Sequence, residues 1–262
     1  MADTNFPTSA QYVIIGGGIV GCSVAYHLTK MGHRDVVLLE QGQLSCGTTW
    51  HAAGLVGQLR SQPAMTELIK YSTELYAQLE TETELATGWM QCGSVTVARS
   101  DNRMTMLLRT AAAARAQGVD VEVISPIEAQ EKWPVMQVED VKGGLWLPGD
   151  GKANPTDLTQ SLAKGARMNG ARVNEGVTVT DIRTENDTVT GVVTDHGTID
   201  AQIVVNCGGQ WARNLGQMCG VDVPLHSAEH MYIVTEQLDG VKPNLPVLRD
   251  PDGYIYFKEE TG

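Results

Sequence analysis

Three glycines and one acid define the first piece of chemistry. Gly16, Gly18 and Gly21 form G-x-G-x-x-G inside "YVIIGGGIVG", directly after an apolar run that reads as a buried strand. The first glycine permits a tight turn and the second lets backbone approach a pyrophosphate. The third lets the next helix pack close to the sheet. That helix opens at Ile19, and its N-terminus attracts phosphate charge. Glu40 lies 19 residues beyond Gly21 and closes the run "DVVLLE", with Gln41 after it. A carboxylate there accepts from a ribose 2′-hydroxyl and repels a 2′-phosphate, so the pattern predicts an adenine dinucleotide and not NADP.

A second stretch, "GTTWHAAG", begins seven positions after Glu40. Trp50 and His51 are its only large side chains, set among Gly47, Thr48, Thr49, Ala52, Ala53 and Gly54, with Leu55 following. Small residues let backbone lie against a cofactor, and threonine hydroxyls can donate to phosphate. His51 has two readings: an imidazole that reaches the edge of a flavin ring, or one that satisfies a loop hydrogen bond.

These residues need a scaffold. Strand, Gly-rich turn, helix (19–31) and "DVVLLE" make a βαβ unit whose near-continuous apolar strands suit a parallel sheet. Residues 64–80 carry Met65, Leu68, Ile69, Leu75, Tyr76 and Leu79 at helical spacing, which predicts a surface helix with that face on the core. From Cys92 the chain reads as a strand ("GSVTVARS"), an Ala-rich helix (102–117), a strand ("VEVIS") and turns ("KWP", "LPGDGKANP"). A helix then starts at Pro155, with Asp157 in its first turn. Residues 177–205 alternate as three strands separated by "END" and "DHG", a β-meander that leads into "IVVNCGG" and Gly208. FAD folds of the two-dinucleotide type often replace a crossover helix by such a meander, whereas an NAD dehydrogenase more often continues in β and α alternation. The pattern favours FAD.

At this point a family resemblance appears. "GGGIVGCSVAYHLTKMGHRDVVLLEQGQLSCGTTWHAAGLVGQLR" resembles the N-terminal region of the dimethylglycine and sarcosine dehydrogenases, flavoenzymes of the D-amino-acid-oxidase superfamily. "GDGKANPTDLTQSLAKGARMNGARV", "VVNCGGQWARNLG" and "HMYIVTE" continue the likeness across essentially the whole chain. The resemblance implies covalent FAD on His51 through the flavin 8α-methyl group. It also implies FAD contacts from Gly47 to Leu55 and adenine contact from the backbone of Val177. It places His230 ("EHMY") and Tyr256 ("YIYFK") in a substrate lobe facing the flavin, as candidate catalytic residues. The implied reaction is oxidative N-demethylation of sarcosine or dimethylglycine, with an acceptor that is oxygen or an electron-transfer protein. Loss of hydride to flavin requires a neutral amine, so a site benefits from a group that takes a proton.

Read from the residues alone, His230 heads an alternating strand and is equally a structural histidine. Tyr256 alternates with Tyr254 as ordinary strand packing would. Arg60 and Lys258 could pair with a substrate carboxylate or be solvated charges, and Cys46 reads as a small buried filler.

The expected architecture is α/β: a Rossmann-type FAD-binding domain with a β-meander (1–90 and 151–222), interleaved with an antiparallel α+β substrate lobe (91–150 and 223–262). Members of the resembling family extend well beyond this sequence, so the 262 residues are expected to be a fragment. Two rivals stand beside the dehydrogenase reading. One is a non-covalent FAD enzyme for another amine or hydroxy acid. The other is a non-catalytic relative of the pyruvate dehydrogenase phosphatase regulatory subunit type, which the T-W-H motif argues against.

The formal charge of −12 argues against nucleic-acid and anionic-membrane partners, since both need clustered Lys and Arg. No run resembles a membrane span, and "MADTNFPTSAQ" has no h-region or transit pattern. Five cysteines without C-x-x-C or metal-like spacing read as free thiols, which points to the cytoplasm and to no metal site.

Overall fold

The computed structural model describes residues 6–260. The chain opens with β1 (Ser9–Ile15), α1 (Ile19–Lys30) and β2 (Val36–Glu40). All five residues of β2 are buried, the mark of a strand covered on both faces. α1 stops because Gly32, at φ +99°, turns the chain out of the helix. Next come β3 (Leu55–Val56) and α2 (Pro63–Thr83), then β4 (Ser94–Ala98), α3 (Asp101–Ala116) and β5 (Glu122–Ile124). α4 (Pro126–Lys132), β6 (Gly143–Leu147), β7 (Gly151–Lys152) and α5 (Pro155–Met168) follow. The remainder is β8 (Arg172–Glu175), β9 (Val179–Glu185), β10 (Thr188–Thr194), β11 (Gly197–Asn206), α6 (Ala212–Met218), β12 (Val247–Asp250) and β13 (Ile255–Phe257).

These elements divide into two units. The first takes the described residues through Ala52, Leu79–Thr87 and Pro155–His230; the second takes Ala53–Gln78, Gly88–Asn154 and the residues from Met231 onward. Residues 53–78 therefore leave the expected first segment 1–90. The cause is local: Leu55 and Val56 pair with Lys152 and Gly151, and the Gln58 N–H donates to Asp150 at 2.7 Å.

The first unit is built on a six-stranded sheet in the order β8-β2-β1-β11-β10-β9. β8, β2, β1 and β11 run parallel, and β11, β10 and β9 form the antiparallel meander. The turn between β9 and β10 holds Asn186 and Asp187 at φ +50° and +59°, a two-residue hairpin turn that Asn and Asp tolerate. α5 packs on α1, where Gly165 leaves room for the buried Tyr26 ring; a Cβ there would lie 2.8 Å from it.

The second unit has a five-stranded sheet in the order β13-β12-β4-β6-β5. Val95 and Val97 pack with Trp133 and Leu248, while Leu145 and Leu147 pack with Leu107, Ala111 and Ala114 of α3. Pairing is antiparallel except for β12 with β4, which run parallel, so the sheet is mixed rather than antiparallel throughout. α4 was not expected from the hydrophobic pattern. Ser125 and Glu128 form a capping box around Pro126, and that S-x-x-E signal was present in the sequence.

Three expectations about side chains and elements need correction. In α2, Met65 and Leu68 are exposed, and Thr66 and Thr73 are buried in their place. The Thr66 hydroxyl bonds both the N–H and the carbonyl of Arg60, and Thr73 accepts from Gln58, so the helix turns a polar face to the incoming loop. The strand expected at His230 is absent: residues 221–238 carry neither helix nor strand, with Met231 and Ile233 each 88% exposed. Alternation makes a strand only where a neighbouring edge pairs with it. Finally, Tyr254 lies in a turn at φ +54°, so β13 begins at Ile255 and Tyr256 does not alternate with Tyr254 along a strand.

Candidate functional site

The order of the first sheet reverses at β1: β2 lies on one side of it and the late strand β11 on the other. Ligands of open α/β sheets bind at such a switch point, beyond the carboxyl ends of the strands. Here the ends are knitted together by backbone. Gly16 N–H donates to Leu39 at 2.8 Å, and Cys207 N–H donates to Ile15 at 2.8 Å. Gly16 sits at φ +112°, and a side chain on it would overlap the Cys207 carbonyl. A side chain on Gly21 would overlap the Gly16 carbonyl, so α1 can press against the turn only with glycine there. Gly208, beside Gly16, faces Leu215, which a Cβ would approach to 2.5 Å.

Glu40 is 8% exposed and its two oxygens are both engaged. Oε2 accepts the Gly17 N–H at 2.6 Å, and Oε1 accepts the Gly42 N–H at 2.9 Å with the Cys46 thiol at 3.6 Å. Oε1 thus has two donors, and Oε2 keeps a second lone pair for a further one. Cys46 is exposed, which corrects its reading as a buried filler. Desolvation together with the Glu40 charge raises its thiol, so it stays protonated at neutral pH. All five cysteines are free, and burial pushes Cys22 up to about 12. Gln41 is exposed at the end of β2.

The "GTTWHAAG" stretch forms a 3₁₀ turn over Thr48–His51. Its position is fixed by Ser45, held at φ +68°, whose N–H donates to Gly17 at 3.0 Å and whose carbonyl accepts from Trp50 at 3.3 Å. The Thr49 hydroxyl accepts the Ile19 N–H at 3.1 Å and so caps the first turn of α1, which carries no acidic side chain. The hydroxyl proton of Thr49 remains available to an anion at that helix end. A Cβ on Gly47 would meet the Trp211 ring at 3.4 Å. His51 is exposed and its ring lies on that of Trp50, with centroids 3.7 Å apart and planes inclined at 33°. Ala52 closes the turn through its N–H to Thr49.

Other candidates fall elsewhere. Ala53, Gly54 and Leu55 belong to the second unit, where the Gly54 carbonyl accepts from Ala153 at 2.9 Å. Val177 is buried in the first core, and its N–H already donates to the Glu40 carbonyl at 2.9 Å. His230 is exposed in the first unit, and Tyr256 lies on β13 in the second. Arg60 donates to the Gly57 and Leu59 carbonyls, and Lys258 pairs with Glu260 at 2.6 Å. Sequence reasoning did not single out Gly17, Gly42, Ser45 or Cys207, which the fold brings to the same strand ends. Only the glycines carried a signal, as turn formers beside the motif.

Comparison with known proteins decides the family. Residues 11–262 match the family model DAO, "FAD dependent oxidoreductase". The chain belongs to this family. It is 41% identical over 256 residues to 4-methylaminobutanoate oxidase (formaldehyde-forming) of Paenarthrobacter nicotinovorans, covering 98% of this chain and 31% of that protein. It is 42% identical over 258 residues to human mitochondrial sarcosine dehydrogenase, covering 96% of this chain and 28% of that protein. It is also 39% identical over 259 residues to the mouse mitochondrial pyruvate dehydrogenase phosphatase regulatory subunit, covering 98% and 30%. The chain thus spans less than a third of the length of these relatives. Among solved structures it resembles L-proline dehydrogenase from P. horikoshii, with TM-score 0.85 and 27% identity over 98% of this chain and 68% of that one.

The residues present fit the cofactor of the DAO family. Glycine is required sterically at positions 16 and 21, the first turn of α1 is free of acidic side chains, and Glu40 offers an Oε2 lone pair at the strand end. Among the described residues no helix is long and apolar enough to cross a membrane, and no group of His, Cys, Asp and Glu could hold a metal ion.

Proposed function

We propose that this chain is the flavin-bearing part of an enzyme that oxidatively N-demethylates a small N-methylated amino acid, sarcosine or dimethylglycine, with FAD held covalently by His51. The observation that carries the reading is the docking of the T-W-H turn onto the Gly-rich loop, through Thr49 to Ile19 and Ser45 to Gly17. It sets an exposed imidazole on the same unit as the dinucleotide loop. Bound FAD supplies a two-electron acceptor for the hydride of the N-methyl carbon.

The roles of the chain's own residues follow from their free valences. Glu40 would accept from a ribose hydroxyl on the remaining Oε2 lone pair while it holds the Gly17 and Gly42 N–H groups. Thr49 donates to phosphate. Val177 has committed its N–H to Glu40, so its carbonyl is the group that accepts from the adenine amino group. His230 is the candidate for taking the proton that leaves the substrate amine neutral, and Tyr256 is the candidate for orienting the substrate. Support for an N-methyl substrate comes from relatives named for sarcosine and 4-methylaminobutanoate. The proposed final electron acceptor is dioxygen or an electron-transfer protein, and all-free cysteines favour a reducing compartment, the cytoplasm in our reading.

The second reading is a non-catalytic binding protein, favoured by the 39% identity to a phosphatase regulatory subunit. Anaerobic mixing of the flavin-loaded protein with sarcosine, dimethylglycine and D-alanine separates the two. Bleaching by the N-methyl compounds alone supports the demethylase. Bleaching by D-alanine alone redirects the substrate, and no bleaching by any small amine supports the binding protein.

A further inference from the structure

We infer that Trp50 is the positioning residue for attachment of flavin to His51: its indole fixes the plane of the imidazole so that a ring nitrogen points out of the turn. The inference rests on the covalent reading above and adds the residue that makes attachment efficient. The geometry is unusual for neighbours in sequence. In a 3₁₀ turn successive side chains leave the axis about 120° apart, so residues i and i+1 do not naturally face each other. Trp50 and His51 nevertheless stack at 3.7 Å between centroids.

Burial does not force this pairing. Trp50 is 52% exposed and His51 is exposed as well, so the two rings hold each other rather than being packed by a core. The backbone beneath them is tied down by the N–H groups of Trp50 to Ser45 and Ala52 to Thr49, and the Thr49 hydroxyl accepts from Ile19. Only the side-chain torsions of His51 remain to be restricted, and the indole covers one face of the ring to do so. Ala52, Ala53 and Gly54 follow with little bulk.

Attachment replaces the imidazole N–H and one C–H of the flavin 8α-methyl by an N–C bond. The two electrons and two protons released reduce the flavin, and dioxygen takes them up as hydrogen peroxide. A nucleophile that must meet one carbon gains most from a fixed orientation, and small misplacements can lower such rates by orders of magnitude.

The test loads the full chain and its variants with FAD in air, precipitates with acid over time, and measures flavin fluorescence in pellet and supernatant. In the wild type the flavin should move into the pellet. Trp50→Phe, which keeps a stacking ring, should attach within a few-fold of the wild-type rate. Trp50→Leu, which fills space without stacking, and Trp50→Ala should bind FAD yet attach it at least roughly tenfold more slowly. Should Trp50→Ala bind no FAD, the Phe and Leu variants decide: equal rates for those two overturn the inference. Wild-type rates in both Leu and Ala overturn it while leaving the covalent reading intact. A wild type whose flavin stays in the supernatant removes the covalent reading and this inference with it.

Discussion

Glu40 and Gly17 are joined by a hydrogen bond of 2.6 Å from the glycine N–H to Oε2, so the acid that ends β2 also braces the Gly-rich turn. The same carboxylate holds Gly42 through Oε1. An amide cannot reproduce this, because one of its two terminal atoms is a donor and would face a backbone N–H. Glu40→Gln should therefore reduce stability by about 1–3 kcal/mol even without cofactor. In a His51→Ala background, where only reversible binding remains, it should also weaken FAD at least roughly tenfold, about 1.4 kcal/mol. Urea unfolding and a fluorescence titration measure the two effects. Unchanged stability with weakened FAD would show that the brace is idle and the acid serves the ribose alone.

Asp150 gives the second unit a pH dependence of known sign. Its carboxyl is 4% exposed and accepts from Gln58 N–H at 2.7 Å and the Ser94 hydroxyl at 2.6 Å. Burial pushes it above the ordinary 3.8, against those two bonds and the charges of Arg249 and Arg60. A raised carboxyl favours the protonated folded state. Its contribution is complete below 3.8 and is lost as pH rises through the folded value. Asp150→Asn keeps the Gln58 N–H on its oxygen, can donate from its amide to the rotatable Ser94 hydroxyl, and does not ionise. Its stability relative to wild type should climb from about pH 4 upward, at about 1.4 kcal/mol per pH unit, and level off once the wild-type carboxyl has ionised. Urea unfolding across that range measures it. A difference between the two proteins that is flat with pH would contradict the raised carboxyl.

Lys152 and Glu259 form an ion pair whose side chains are both nearly buried, and the Lys152 ammonium also donates to the Glu259 carbonyl at 3.1 Å. The backbone of Lys152 is fixed by reciprocal bonds with Met90 at 2.8 and 3.0 Å. Lys152→Met would leave a carboxylate buried without its cation, at a loss of roughly 3–5 kcal/mol. Glu259→Leu in addition should restore most of it. Urea unfolding of the four proteins closes the cycle. Additive losses would mean that the two groups do not interact.

The first unit was legible from the sequence because its signals are local and of different kinds. Gly16, Gly18 and Gly21 sit between a strand and a helix, and Glu40 ends a strand buried on both faces. The turn groups "END" and "DHG" mark a meander that the structure forms in the expected order. The second unit was less legible. α2 buries Thr66 and Thr73 because their hydroxyls bind a loop, and no hydrophobic period records that. β3 and β7 have two residues each, too short for any alternation to show. "HMYIVTE" alternates as a strand would, yet pairing is a property of neighbours and not of the segment. At the candidate site, T-W-H was conspicuous by composition. Ser45 at φ +68° was not, since a left-handed serine leaves no mark in the sequence.

His230 provides the last test, because its structural and chemical roles separate cleanly. It is exposed on a stretch with neither helix nor strand, so its side chain supports no core. His230→Ala should leave the urea midpoint within about 0.5 kcal/mol of wild type. If His230 accepts the substrate proton, the same variant should slow flavin reduction by roughly 10²–10⁴-fold. The limb of the pH profile that reports the base should also disappear from the anaerobic reduction rate. His230→Gln, which keeps a polar group of similar reach but cannot take a proton near neutrality, should behave as the alanine variant does. A glutamine variant that reduces its flavin at the wild-type rate with an unaltered pH profile would take His230 out of the chemistry. The proton would then go to another group or to water, and Tyr256 would be the remaining sequence-derived candidate to test by Tyr256→Phe.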